Sequence, residues 1–377
     1  MSTTAAASIR IGTASPATGP TTSATLAQLG ALARRAAGHG IDLLVLPEAY
    51  LGGYPRGASF GCVVGERTAQ GRDEFARYFD AAVDLGDTVG DGAGAGARWL
   101  RRELGDHDTV RGDGTREALE AIAGDTGVFL VAGCIEKAGG SLYCAAVYVC
   151  PREGVVGKRR KVMPTGTERL VWAQGCPSTL RAVSTTIRGT RVNLAAALCW
   201  ESYMPLLRQS LYAQNINLYL APTADGRDAW LGLMRTIGVE GRCFVVSSNM
   251  CVRRDARPAA LPSTTSPRPK HRRKSVVFDD DGNEIVLCRQ EDDDDSAVDA
   301  RPSPHDFVSR GGSCIVSPFG DVLAGPQWED DDGLIYADVD MRDCIRGRLD
   351  IDTAGSYSRN DAFKLTVQGL DMDPLPY

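Results

Sequence analysis

The sequence from residue 192 to residue 211 reads VNLAAALCWESYMPLLRQSL. Its first seven residues are almost entirely apolar, as in a strand that is buried on both faces of a sheet. A short turn follows, and Pro205 is well suited to the first turn of a helix. Cys199 stands where the strand ends, which is where open α/β folds place functional groups. A thiol near a helix N-terminus is expected to have a lowered pKa.

The same alternation of apolar strands and amphipathic helices runs along the rest of the chain. Strands are predicted at 8–14, 41–46, 128–134, 142–149, 154–161, 180–187, 192–198, 216–221, 244–248, 313–317 and 334–339. Helices are predicted at 22–37, 115–124, 203–215 and 227–240. This order predicts a layered α/β fold, and the neighbouring pairs of strands favour two sheets over one.

The composition predicts a globular protein without a strong charge bias. The chain has 377 residues, a net charge of −6 and 43% hydrophobic residues. This balance argues against nucleic acid as the main partner. The N-terminus has no basic stretch followed by an apolar core, and no apolar run approaches the length of a membrane span. We therefore expect one soluble, cytoplasmic domain over residues 1–377, with no membrane partner.

The cysteine and histidine contents exclude several classes of site. The eleven cysteines are an odd number and none forms a Cys-x-x-Cys pair, so a disulfide framework is not expected and a reducing compartment is. None of the four histidines stands at a metal-ligand spacing from another histidine or from a cysteine; they are His39, His107, His271 and His305. We expect no metal and no organic cofactor. A papain-like Cys–His protease is also disfavoured, because that mechanism needs a histidine base.

Residues 253–306 differ in composition from the rest of the chain. They are rich in Pro, Ser, Arg and Asp, with a basic cluster KHRRK at 270–274 and an acidic run EDDDD at 291–295. Such a segment buries little apolar surface, which predicts a mobile surface insertion. A nuclear localisation signal is the alternative interpretation of the basic cluster. Within the insertion, SVVFDDDGNEIVL predicts a hairpin that turns at Asp281-Gly282.

Three reactive residues each end an apolar strand: Glu48, Lys161 and Cys199. Burial of an unpaired carboxylate or ammonium costs several kcal/mol, so a cluster in which the charges compensate one another explains them best. Taken singly, each has a structural interpretation. For Cys199 it is that of a core residue, because ten other cysteines indicate that this chain uses Cys to fill its core. Lys161 closes a run of four basic residues, and the residues alone leave Lys158 as an alternative to it.

Five blocks of sequence resemble the nitrilase superfamily of carbon–nitrogen hydrolases, in particular its nitrilase branch and the fungal members of that branch. They are LLVLPEAYLGGYPRG at 43–57, RGDGTREALEAIAGDTGVFLVAGCIEK at 111–137, KRRKVMPTGTERLVWAQG at 158–175, LAAALCWESYMPLLRQSLYAQNINLYLAPTAD at 194–225 and GVEGRCFVVSSN at 238–249. The resemblance extends over most of the chain apart from the insertion. Two positions depart from the family pattern: Ser202, where CWEN is usual, and the segment GSYSRND at 355–361.

The resemblance implies a four-layer αββα sandwich whose subunits pair and extend into spirals, with residues 350–377 in subunit contacts. It assigns the family's Glu–Lys–Cys triad to Glu48, Lys161 and Cys199, which favours Lys161 over Lys158. Glu168, seven residues after the lysine, corresponds to a second glutamate that is often counted as catalytic. The residues expected to bind substrate are Tyr54, Trp172, Trp200 and Glu201.

The implied activity is hydrolysis of a nitrile to a carboxylic acid and ammonia through a thioimidate and a thioester on Cys199. The small-molecule nitrile and water are then the partners, and no cofactor is required. A nitrile or cyanide hydratase, which releases an amide from the same site, is the nearest alternative. An amidase and a catalytically silent, filament-forming protein are more distant ones.

Overall fold

The computed structural model describes residues 8–89, 96–104, 111–254, 276–278, 284–286 and 307–377. A first sheet has the strand order β17-β1-β2-β5-β6-β7. Its central strands β1, β2 and β5 are parallel, and the others are antiparallel to their neighbours. The strands are β1 (Ile9–Ala14), β2 (Leu43–Val45), β5 (Phe129–Ala138), β6 (Ser141–Cys150), β7 (Gly154–Arg160) and β17 (Leu334–Val339).

A second sheet has the order β12-β15-β11-β10-β9-β8, with β16 paired to β15. Here β9, β10 and β11 are parallel. The strands are β8 (Val183–Ile187), β9 (Thr190–Ala196), β10 (Leu218–Thr223), β11 (Phe244–Asn249), β12 (Cys251–Arg253), β15 (Phe307–Val316) and β16 (Val322–Trp328). Two small hairpins stand apart, β3 (Cys62–Val63) with β4 (Glu66–Arg67) and β13 (Val276–Phe278) with β14 (Glu284–Val286).

Helices cover the outer face of each sheet. The helices of the described residues are α1 (Thr22–Gly38), α2 (Ala69–Ala81), α3 (Ala97–Leu100), α4 (Thr115–Thr126), α5 (Pro205–Ala213), α6 (Asp228–Gly241) and α7 (Asp343–Gly347). Helices α1 and α4 pack on the first sheet, and α5 and α6 on the second. In this part of the chain no helix has the length and apolarity needed to cross a membrane.

The layer between the two sheets consists of alternate strand residues. In the first sheet Leu43 and Val45 face this layer, whereas Leu44 faces helices α1 and α4. Leu194 and Leu220 face it from the second sheet. Burial of a side chain of this size stabilises the fold by about 1.5–3 kcal/mol, so this layer fixes the two sheets against each other. The predicted αββα sandwich is confirmed.

Several elements differ from the sequence prediction. The helix predicted at 203–215 is two elements, a 3-10 helix Cys199–Tyr203 and then α5, which begins at Pro205. Helix α2 and strand β16 were not predicted. The predicted hairpin is confirmed by the antiparallel pairing of Val277 with Ile285. Its turn, and most of the predicted insertion, lie outside the described residues.

Candidate active site

Glu48 lies just after β2, in a loop that packs closely on strand β5. The N–H of Leu51 donates to the carbonyl oxygen of Gly133 at 3.0 Å. A Cβ at Gly133 would lie 2.1 Å from the carbonyl oxygen of Pro47, so only glycine permits this approach. Ala49 has a left-handed φ of 54°. The backbone on both sides of Glu48 is therefore fixed against the sheet.

The end of β7 separates the two candidate lysines. Lys158 faces the helix side of the sheet, where its Nζ lies 2.8 Å from Oδ2 of Asp87. Lys161, an odd number of residues further on, faces the opposite way, and its Nζ donates to Oε1 of Glu48 at 2.8 Å. The N–H of Lys161 donates to the carbonyl oxygen of Cys144 at 2.7 Å. The lysine beside Glu48 is thus Lys161 and not Lys158.

Cys199 begins the 3-10 helix that follows β9. It has a left-handed φ of 53°, a conformation that costs a non-glycine residue about 1–3 kcal/mol and is concentrated at functional sites. The residue is only 4% exposed. Thr223, the last residue of β10, donates its hydroxyl to the Cys199 Sγ at 3.2 Å. The ends of two neighbouring strands therefore hold this thiol in place.

A second carboxylate completes the charged group around Lys161. The Lys161 Nζ also donates to Oε2 of Glu168, at 2.7 Å. Glu168 itself accepts the hydroxyl of Tyr54 at 2.9 Å and the N–H of Thr165 at 2.7 Å. The side chains of Lys161 and Glu48 are fully buried, and that of Glu168 is 6% exposed. One ammonium is thus shared by two carboxylates away from solvent.

One oxygen of this group has no partner. Among the described residues, Oε2 of Glu48 is the only buried carboxylate oxygen without a hydrogen bond. A buried acceptor in this state is costly, and proteins normally satisfy it. The site therefore keeps an acceptor available for a proton, a water molecule or a substrate.

The electrostatics of the site raise the pKa of both the Cys199 thiol and the Glu48 carboxyl. Burial raises the pKa of Cys199, the charge of Glu48 raises it further, and Lys161 opposes them. The lowered thiol pKa expected from the sequence is therefore wrong. Burial also raises the pKa of Glu48, against the opposing effect of Lys161, so Glu48 is a stronger base than an exposed glutamate. For Lys161, burial lowers the pKa, but the neighbouring anionic groups outweigh it and the net shift is upward.

Two of the predicted substrate-binding residues, Tyr54 and Trp172, pack against each other beside the buried charged side chains. The rings of Tyr54 and Trp172 meet edge to face with their centres 5.6 Å apart. Trp172 is 3% exposed, and its indole N–H donates to the Tyr78 hydroxyl at 3.1 Å. Tyr54 lines the cavity described below, whereas Trp172 lies behind it. Trp172 therefore supports the wall through Tyr54.

Trp200 follows the thiol directly and is held rigidly. Its indole N–H donates to Oδ2 of Asp225 at 2.8 Å. The guanidinium carbon of Arg227 lies 4.6 Å from the ring centre, and Arg227 Nε also donates to Oδ1 of Asp225 at 2.8 Å. The indole is thus fixed at its nitrogen and covered on one face.

Glu201 has a different role from the one predicted. Its carboxylate is fully buried and forms an ion pair with Arg159 at 2.7 Å. It also accepts the N–H of Val162 at 2.7 Å and the N–H of Leu198 at 2.8 Å. These bonds join the backbone after Lys161 to the backbone before Cys199. The expectation that Glu201 binds substrate is corrected, because its oxygens are occupied by the protein.

A cavity of about 220 Å³ opens beside Glu48. The segments that line it include the loop after β1, the start of α1, the loop after Glu48, the end of α2, β12 and the start of β15. Its lining is mainly apolar and includes Ala17, Tyr54, Ala81, Met250, Val252 and Val308. A compact, largely apolar ligand therefore fits against the Glu48 carboxylate.

Sequence reasoning missed three residues that contact the reactive groups: Cys144, Thr223 and Gly133. Thr223 ends an apolar strand, as Cys199 does, and this shared position was a usable signal. Cys144 and Gly133 lie inside strands and touch Glu48 or its loop only through the pairing of distant segments. Nothing in their local sequence indicates these contacts.

Comparison with known proteins gives a consistent result. Residues 5–348 match the model of the carbon-nitrogen hydrolase family. The chain is 39% identical to a nitrilase of Bradyrhizobium diazoefficiens, over 93% of this chain and 89% of that protein. It is 37% identical to a bifunctional nitrilase/nitrile hydratase of Lupinus angustifolius, over 94% of this chain and 84% of that protein. It is 38% identical to an arylacetonitrilase of Trametes versicolor, over 87% and 86%.

These relatives come from a bacterium, a plant and a fungus, so the similarity is not restricted to fungal proteins. Among solved structures, a carbon-nitrogen hydrolase of Helicobacter pylori superposes with a TM-score of 0.59 at 16% identity. The match covers 95% of this chain and 98% of the other. At this identity the likeness concerns the fold alone.

Proposed function

The chain belongs to the carbon–nitrogen hydrolase family, and from this premise we propose that it is a nitrilase, which converts a nitrile and two water molecules into a carboxylic acid and ammonia. The observation that carries the proposal is the buried Glu48–Lys161 pair, with one glutamate oxygen left free, in electrostatic contact with the Cys199 thiol. A thiol, a base and a fixed cation are what a covalent attack on a carbon–nitrogen multiple bond needs.

In the first half of the reaction, Glu48 takes the proton of Cys199 as the thiolate attacks the nitrile carbon. A C–S bond forms and one C–N π bond opens, which places negative charge on nitrogen. Lys161 stabilises that charge, and Glu48 delivers its proton to the nitrogen to give a thioimidate. The high pKa of the free thiol favours this coupled transfer over a thiolate that exists before substrate arrives.

In the second half, Glu48 activates a water molecule that adds to the thioimidate carbon and forms a tetrahedral intermediate. Glu48 returns the water proton to the nitrogen, then takes the hydroxyl proton as the carbonyl forms and passes it to the same nitrogen, so that the C–N bond breaks and ammonia leaves a thioester. A second water molecule breaks the C–S bond, releases the acid and restores the thiol. Glu168 holds Lys161 in place through its 2.7 Å ion pair.

A nitrile hydratase is the second candidate, and the branch point is the tetrahedral intermediate. If the C–S bond breaks there instead of the C–N bond, the product is an amide. The lupin relative, whose name gives both activities, supports this alternative. The choice depends on how efficiently Glu48 protonates the leaving nitrogen, so both products come from the same residues.

The cavity favours nitriles with a compact apolar body. Its volume of about 220 Å³ exceeds the roughly 150 Å³ of a dry protein cavity that accommodates benzene. An aryl group with a short nitrile-bearing arm is therefore of suitable size, with Tyr54 and Tyr78 as the aromatic residues of the lining. The arylacetonitrilase from Trametes supports this substrate class.

Assembly and location belong to the same proposal. The ten cysteines in the described residues are all free thiols, which fits a cytoplasmic protein. Several apolar side chains remain exposed on α5 and the C-terminal segment, among them Leu206, Leu349 and Phe363. A homodimer that extends into a spiral, with residues 350–377 in its contacts, would cover them.

A panel of aliphatic, aromatic and arylaceto-nitriles, together with hydrogen cyanide and the matching amides, tests the function. Acid, amide and ammonia are measured against an enzyme-free blank. The nitrilase proposal predicts acid and ammonia in equal amounts, with phenylacetonitrile among the good substrates. Amide without ammonia establishes the hydratase instead. Turnover of amides but of no nitrile, or of neither, contradicts the proposal.

A further inference from the structure

Cys144 is a second buried thiol within the candidate site. It lies in the middle of β6 with no exposed surface, and its Sγ donates to Oε1 of Glu48 at 3.4 Å. The backbone carbonyl of the same residue accepts the N–H of Lys161 at 2.7 Å. One residue therefore contacts both members of the carboxylate–ammonium pair, and the mechanism above gives it no part.

The thiol determines which glutamate oxygen remains available. Oε1 receives two donors, the Lys161 ammonium at 2.8 Å and the Cys144 thiol at 3.4 Å, whereas Oε2 receives none. The ammonium alone leaves the carboxylate free to rotate about its last bond, because that torsion has a broad preference. A second donor on the same oxygen restricts this rotation and keeps Oε2 as the atom that exchanges protons.

Other buried cysteines in the chain show what simple core filling looks like. Cys314 lies in β15 among apolar side chains of the outer layer, and burial alone raises its pKa to about 12. Cys144 also packs against apolar residues, yet it donates to a buried carboxylate. A filler position requires no donor, so the contact with Glu48 needs a separate explanation.

We propose that Cys144 is a positioning residue, which acts through Glu48 by holding Oε1 so that Oε2 carries the catalytic proton. This inference rests on the proposed function of the site. The hydrogen bond from the Cys144 thiol also lowers the pKa of Glu48 and so favours its ionised form, whereas burial raises that pKa. The other ionisable groups in electrostatic contact with Glu48 are Lys161, Glu168, Cys199, Tyr54 and Tyr78.

Cys144→Ser and Cys144→Ala test the inference, because they have nearly the same size and differ in one donor. In Cys144→Ala, kcat/KM for the best nitrile is expected to fall about five- to tenfold, as for one lost hydrogen bond of ordinary strength, because a thiol is a weak donor. The acidic side of the pH profile of kcat/KM is expected to move to higher pH in this variant, because the ionised form of Glu48 loses one hydrogen-bond donor and its pKa rises. Cys144→Ser is expected to restore both in large part, and the control Cys314→Ala to leave the acid limb unchanged.

The inference is overturned if the two variants Cys144→Ala and Cys144→Ser have the same kcat/KM and lose it at the same acidic pH, because altered packing alone then explains the loss. If either variant fails to fold, the pair Cys144→Thr and Cys144→Val makes the same comparison, because the two side chains share one shape and differ in a hydroxyl donor. The wild-type enzyme is assayed in parallel. If the wild-type enzyme turns over no nitrile, the proposed function is contradicted. If the wild type does turn over nitriles but Cys144→Ala and Cys144→Ser have the same pH profile of kcat/KM, only the role of Cys144 is contradicted.

Discussion

Strand β7 and the residue after it carry four consecutive basic side chains, and three of them belong to two clusters on opposite faces of one sheet. On the helix side, Lys158 and Arg160 bind the carboxylates of Glu136 and Asp87. On the other side, Lys161 binds Glu48 and Glu168. Both clusters are buried and both pair cations with carboxylates, so composition and burial do not distinguish them.

The two clusters differ in how completely they are satisfied. In the first, no side-chain nitrogen or oxygen of the four residues lacks a partner, and Arg160 also donates to the carbonyl oxygen of Thr88 at 2.8 Å. In the second, Oε2 of Glu48 has no partner. A satisfied network of buried charges stabilises a fold, whereas a buried acceptor kept free is available for chemistry. The first cluster should therefore affect stability, and the second activity.

Between the two clusters, the largest expected effect on activity is that of Lys161→Met. Loss of the cation that stabilises charge on the nitrile nitrogen should lower kcat/KM by about 10³-fold. Its effect on stability should be smaller, because Glu48 has a raised pKa and takes up a proton when its cation is lost. Nitrile turnover and thermal unfolding measured on the same sample check this. If kcat/KM of Lys161→Met stays within tenfold of wild type, another cation stabilises the charge on the nitrile nitrogen.

Lys158→Met makes the same change on the other face. It leaves Glu136 and Asp87 with one cation fewer, and unpairing of a buried charge costs about 3–5 kcal/mol. Chemical denaturation should show this loss of stability, while kcat/KM per folded molecule stays near wild type. If Lys158→Met instead loses activity and keeps its stability, the division between the two clusters is wrong.

Glu201→Gln should have an intermediate effect. The change keeps the shape of the side chain but removes the charge opposite Arg159, which loosens the connection between the backbone at Val162 and at Leu198. Misplacement of reacting groups by about 1 Å costs up to 10²-fold, so kcat should fall about 10- to 100-fold. Glu136→Gln is the matched control in the structural cluster. Equal kcat losses in both variants would remove the distinction.

The smallest effect is a shift in the pH profile of the wild-type enzyme. Because burial raises the pKa of Glu48, the ionised base is lost at a higher pH than for an ordinary glutamate at 4.5. The acid limb of kcat/KM for an uncharged nitrile should therefore lie above that value. Since the pKa of Lys161 is raised, this lysine stays protonated through the alkaline range and produces no limb there. An acid limb at or below 4.5 contradicts the electrostatic account.

Much of the fold could be predicted because its strands are buried on both faces and form continuous apolar runs. Helix α2 was missed since only Gly71 and Tyr78 are buried along it. The Thr68 cap and the spacing of Phe75, Tyr78 and Phe79 were the available signals. Strand β16 was missed because only Gln327 is buried along it and because it contains Gly325-Pro326, which is atypical of a strand interior.

The candidate site could be predicted where a reactive residue ends a strand. For the choice between Lys161 and Lys158, the odd spacing along β7 shows only that they face opposite ways. Which face carries Glu48 is a tertiary fact that the residues alone do not give. The contacts of Cys144 and Gly133 depend in the same way on strands that are distant in sequence. The raised pKa of Cys199 results from the depth of its burial, which no local pattern reports.

The central claim is that the Cys199 thiol attacks the nitrile carbon, and Cys199→Ala tests it most directly. Ammonia and amide release from phenylacetonitrile is measured for the folded variant, in which the ten other cysteines remain. The account predicts turnover lower by about 10⁴-fold or more, as for loss of an enzyme nucleophile, with thermal unfolding close to that of wild type. A folded Cys199→Ala protein that retains more than a tenth of the wild-type rate would contradict the account.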